Sequence, residues 1–86
     1  MIDTAALMAA HGHASKNRSE IAASSECGCF YCKSVVGPSQ VYDWVDDGQT
    51  ALCPRCGVDA LIGDKSGHPI TDQAFLKAMH QHWFEG

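Results

Sequence analysis

Two cysteine pairs with the same internal spacing constrain this chain more than anything else in it. They are Cys29-Phe30-Tyr31-Cys32 and Cys53-Pro54-Arg55-Cys56-Gly57. Two intervening residues let both sulfurs of a pair reach one ion while backbone N–H groups turn toward them. Gly57, directly after the second pair, can adopt the left-handed conformation that closes such a knuckle. About 20 residues separate the pairs, a distance that suits a structural four-thiolate zinc site. Cys29, Cys32, Cys53 and Cys56 are therefore expected to hold one Zn2+.

A fifth thiol complicates the first pair. The run Cys27-Gly28-Cys29-Phe30-Tyr31-Cys32 offers three sulfurs for two places. Cys29 with Cys32 keeps the preferred spacing, whereas Cys27 with Cys32 would need a wider loop. Cys27 is left as a thiol beside the site or free of it, buried and inert more often than redox-active.

Length makes a metal useful. With 86 residues the chain reads as one domain, 1–86, and a core of that size supplies only about 3–5 kcal/mol without a staple. The expected segments are an N-terminal helical stretch (1–26), a zinc-binding centre (27–62) and a C-terminal helix (70–85). Five cysteines, an odd number, argue against a closed disulfide framework. The N-terminus, Met1 to Ala10, lacks the positive start of a signal peptide and carries Asp3. No stretch approaches the roughly 18 apolar residues that cross a bilayer. The reading is a cytoplasmic protein with no membrane association, in a reducing compartment that favours metal ligation over disulfides.

Charge bears on partners. The formal net charge is −4 with only six Lys and Arg, and no basic run occurs. Phosphate neutralisation supplies most non-specific nucleic-acid affinity, so nucleic acid is not favoured, although Lys16, Arg18, Lys33 and Arg55 could gather in space. A protein partner is the expectation.

Residues 3–13 have good helix propensity, with Asp3 or Thr4 as N-cap and an apolar stripe of Ile2, Ala6, Ala9 and Ala10. Residues 17–24 read as a second short helix, Asn17 capping and Glu20 reaching back as in a capping box. Ser34-Val35-Val36 reads as a short strand ended by Gly37-Pro38. Ser39 is expected to cap a helix running to Asp47, with Val41, Trp44 and Val45 as its apolar face and Gly48 ending it. Thr50-Ala51-Leu52 reads as a strand, while Val58–Ile62 fits either a strand or a short helix. In the last helix Thr71 is the N-cap, Ile70 and Phe75 form a hydrophobic staple, and Leu76, Met79 and Trp83 follow at helical spacing toward the core. His11 and His13, like His80 and His82, are two apart and share no helix face, so none is assigned a ligand role, nor is His68.

Several of these stretches together resemble a family of small, uncharacterised bacterial zinc-binding proteins. They are Asn17-Arg18, Cys27 to Cys32, Trp44-Val45-Asp46, Thr50 to Asp59, Ile62-Gly63-Asp64, Ser66 to Ile70 and Trp83-Phe84. The resemblance runs from about residue 13 onward and implies a cytoplasmic zinc-binding domain, with no activity to carry over. More loosely, the hook–helix–strand–hook order is similar to treble-clef zinc proteins, among them the HNH nucleases. A nuclease of that kind needs a histidine on the strand after the first hook, and Ser34-Val35-Val36 has none. The likeness is to the scaffold.

The expected fold is thus a small α+β domain: N-terminal helices, a treble-clef-like zinc centre and a packed C-terminal helix. A zinc ribbon with two equivalent knuckles is the alternative, to be preferred if Val58–Ile62 is a strand. A closed four-cysteine site leaves no open position for metal catalysis, and no nucleophile–base constellation accompanies it. The expected role is a non-catalytic binding or adaptor domain. The alternatives are a nucleic-acid-binding zinc module and a rubredoxin-like iron protein for electron transfer, the latter unusual in carrying Lys33 and not glycine after the first hook.

Overall fold

A computed structural model describes residues 3–85. Met1, Ile2 and Gly86 lie outside the described residues, and with them Ile2 of the expected apolar stripe. The chain begins with α1 (Thr4–His11), capped by the Asp3 carboxylate, which accepts from the Ala5 N–H. A single turn of tighter helix, Gly12–Ala14, leads to α2 (Arg18–Ala23). Leu7, Ala10, Ala14 and Ile21 are the residues these helices bury.

Three short strands then form one antiparallel sheet in the order β2-β1-β5. The central strand β1 (Cys27–Cys29) contains the start of the first cysteine pair; β2 is Val35–Val36 and β5 is Leu61–Gly63. Cys27 pairs with Val36 on one side and Gly63 on the other, and Cys29 pairs with Leu61. The ambiguous stretch before residue 63 therefore ends as a strand. Its three residues are all buried, a pattern with no alternation for sequence inspection to find. Gly28 lies at the sheet centre because only a missing side chain fits there: a Cβ would stand 2.2 Å from the Ile70 carbonyl oxygen.

The helix expected over residues 39–47 does not form. Pro38–Gln40 makes one tight turn, with the Gly37 N–H donating to the Gln40 side-chain oxygen. Trp44–Val45 is instead β3, paired with β4 (Thr50–Ala51) in a two-stranded hairpin. β-Branched and aromatic residues favour strands, and Asp43, Asp46 and Asp47 are poor in helix interiors. The hairpin turn takes three successive left-handed residues, Asp46 (φ 55°), Asp47 (φ 58°) and Gly48 (φ 81°). Gly48 is left-handed as expected, but in a hairpin turn. Arg18 holds this hairpin to α2: its guanidinium donates to the Gly48 carbonyl at 2.7 Å and lies 4.6 Å over the Trp44 ring.

Asn17 corrects a second expectation. Its side chain makes no cap to α2. It is buried, donating to the His13 and Leu61 carbonyls and accepting from the Ala51 N–H. One amide thereby ties the helical segment to both sheets, and it satisfies the buried Leu61 carbonyl and Ala51 N–H, which water cannot reach. Glu20, freed from any capping box, accepts from the His13 ring at 2.8 Å.

The last helix, α3, runs Gln73–His80 and continues in a wider turn, Gln81–Glu85. Its cap is Asp72, one residue later than Thr71, and accepts from the Ala74 N–H. That shift removes the staple geometry, and Ile70 is simply core. Phe75, Leu76 and Met79 are buried as expected, each contributing roughly 1.5–3 kcal/mol of apolar burial. Trp83 is half-buried and donates its indole N–H to the Leu7 carbonyl, closing the C-terminal turn onto α1. Among the described residues no helix is long and apolar enough to cross a membrane.

Candidate metal centre

Each cysteine pair sits at the tip of a loop, and the two loops repeat one hydrogen-bond pattern. The Cys29 N–H donates to the Ser34 carbonyl at 2.9 Å, and the Cys53 N–H donates to the Val58 carbonyl at 3.0 Å. The residue one place after each pair is left-handed: Lys33 at φ 64° and Gly57 at φ 78°. The sulfurs are served alike. Backbone N–H groups two residues on reach each one, from Tyr31 to Cys29, Ser34 to Cys32, Arg55 to Cys53 and Val58 to Cys56. Cys29 and Cys53 are buried; Cys32 and Cys56 are half-buried.

The loops face each other so that all four sulfurs lie within 4.8 Å of one another. The contacts cross between hooks: Cys29 to Cys56 at 3.6 Å and Cys32 to Cys53 at 3.7 Å. A tetrahedron of thiolates around zinc at about 2.3 Å has edges of about 3.8 Å, so this sulfur set fits one tetrahedral ion. The cluster could hold a metal ion. Cys27 is not among the four. It is fully buried in β1 among Val36 and Gly63, and two residues along a strand carry it about 7 Å from Cys29.

Electrostatics sets what the cluster needs. Burial pushes the Cys29 thiol well up despite N–H groups from Cys32 and Tyr31, with Cys53 and Cys32 adding repulsion. Burial also raises Cys56. At Cys32 burial acts in the same sense, but hydrogen bonds from the Ser34 hydroxyl and N–H, and from Cys29 and Cys53, bring the thiol down to about 7. Four thiolates at these distances repel one another strongly, so full ionisation requires a cation among them. Cys27 behaves differently, held up to about 11 by burial and then by the Asp64 carboxylate, a protonated and inert thiol.

The histidines stand apart from the sulfurs. The His80 Nδ1–H donates to the Phe30 carbonyl at 3.2 Å, and Nε2 lies 3.0 Å from the Glu85 carboxylate. His80 thus pins the C-terminal turn to the first hook, a structural role its sequence position did not signal. His13 and His68 face each other at 5.3 Å, and His68 stacks on Phe75. The chain matches no protein-family model, no curated protein and no solved structure.

Proposed function

We propose that this chain is a small metal-folded binding domain in which Cys29, Cys32, Cys53 and Cys56 hold one structural Zn2+. The observation that carries the reading is the sulfur set, whose crossing edges of 3.6 and 3.7 Å suit tetrahedral zinc–thiolate bonds. Four protein ligands leave no open position for a substrate or an activated water, which supports a non-catalytic role. The net charge of −4 favours a protein partner over nucleic acid. The finer fold reading is the ribbon alternative and not a treble clef. It is supported by the matching hydrogen bonds of the two loops and by the second hook leading into β5, with the next helix beginning only at Gln73. The kinship to small bacterial zinc-binding proteins, carried by the cysteine-rich stretches and Asn17, belongs to the same reading, as does a reducing compartment.

Metal removal tests it. Structural zinc contributes on the order of 10–16 kcal/mol, as much as the whole stability of a typical domain. Chelation under reducing conditions is expected to abolish the cooperative melt and much of the helical circular dichroism, with recovery on adding Zn2+. A chelated chain that kept its spectrum and Tm would overturn the reading.

A further inference from the structure

The two hooks also supply walls to a second feature, a cavity of about 180 Å3. Four rings surround it: His11 from the end of α1, Phe30 from inside the first hook, and Trp83 and Phe84 from the C-terminal turn. The rings are placed against one another. His11 lies 3.9 Å from Trp83 between centroids and 6.0 Å from Phe30, and Phe30 lies 5.6 Å from Phe84. The indole N–H bond to the Leu7 carbonyl fixes Trp83, and the bond from His80 to the Phe30 carbonyl fixes the opposite wall. This box is ordered before any ligand enters, which lowers the entropic cost of binding.

Among the described residues its one charged side chain is Asp59, three residues beyond Cys56, and none of them that line it is Lys or Arg. Asp59 is exposed and belongs to neither ion pair found among the described residues. Aromatic faces carry negative electrostatic potential at their centres, and a carboxylate beside them adds to it. The occupant these walls favour is a cation with an apolar coat. Size narrows the choice: the volume equals about six waters at ~30 Å3 each, too small for a drug-sized molecule and suited to a compact headgroup.

From this arrangement we infer that the cavity between α1, the first hook and the C-terminal turn binds a methylated ammonium group. Such a group gives up little hydration on entering, and the rings and Asp59 replace what it loses. The chemistry is the same whether the group is a free amine or a methylated lysine side chain of a partner. The inference rests on the binding-domain reading, because the hooks place Phe30 and Asp59.

The test is a titration of the isotope-labelled, metal-loaded full chain, followed by NMR, with choline and with its uncharged tert-butyl isostere. The expected result is saturable shifts of the Trp83 indole N–H and of the amide of Ser15, which also lines the cavity, with choline favoured by about tenfold. Asp59→Asn at its exposed position is expected to weaken choline by about three- to tenfold with metal content and Tm unchanged. Phe84→Ala is expected to act in the same direction. A peptide carrying trimethyllysine separates the two sources: tighter than choline points to a partner's side chain, no tighter to a free amine. Equal affinity for choline and isostere, or no saturable shift while metal content and Tm are intact, would overturn the inference and leave the metal reading standing. A chain that never takes up metal would instead sink the reading beneath it.

Discussion

The first and second hooks have one backbone and two settings. Both use the same N–H to carbonyl closure, the same N–H to sulfur contacts and a left-handed residue after the second cysteine. The first grows out of β1 at the centre of a sheet, with Phe30 buried and the Lys33 carbonyl accepting from Gln73 of α3. The second stands on an exposed loop, with Arg55 and Gly57 open to solvent. The hooks share their backbone closure and sulfur contacts, and the surrounding core sets how they differ.

The largest effects should ignore that difference. Cys29→Ser in the buried hook and Cys53→Ser in the exposed one are expected to weaken Zn2+ by more than about a hundredfold each, beyond the ten- to hundredfold typical of residues that only orient ligands. Competition against a coloured chelator measures this. Cys27→Ala is the control and should leave affinity unchanged. Unequal losses for Cys29 and Cys53 would break the equivalence, and a loss at Cys27 would move the site.

A middle effect separates the hooks. Ser34 gives Cys32 a hydroxyl bond that Val58 cannot give Cys56, and the bonds at Cys32 lower its thiol to about 7. A thiol lowered in the folded chain is ionised above that point and protonated as pH falls through it. At Cys32 protons therefore compete with metal below about pH 7, while at Cys29 and Cys56, which burial raises, they compete at higher pH as well. Ser34→Ala is expected to weaken Zn2+ by up to about tenfold near neutrality, the gap closing toward higher pH where the thiol ionises without help. A pH-independent deficit would contradict this origin.

The smallest effects come from the left-handed pair. Lys33 bears a steric cost that Gly57 avoids, so Lys33→Gly should stabilise by about 0.5–1 kcal/mol, and Gly57→Ala should destabilise by about 1–2 kcal/mol. Thermal melts of the metal-loaded variants read both. The same sign at both positions would mean the loops are not equivalent.

These contrasts also mark how far the sequence could be read. The four clustered sulfurs, α1, β2, β4 and the buried face of α3 follow from spacing, propensity and periodicity, all local signals. The misread parts depend on distant partners. Trp44 and Val45 have helical spacing, yet pairing with Thr50 and Ala51 and the cover of Arg18 make them a strand. Asn17 stands where a cap belongs, yet the buried Leu61 and Ala51 backbone claims its amide. The four-ring box joins residues from both ends of the chain, which no local window contains.

X-ray absorption at the metal edge of the purified chain bears most directly on the central claim. The expected result is one zinc per chain with four sulfurs at about 2.3 Å and no lighter ligand. An iron edge, a nitrogen or oxygen in the coordination shell, or fewer than four sulfurs would contradict it.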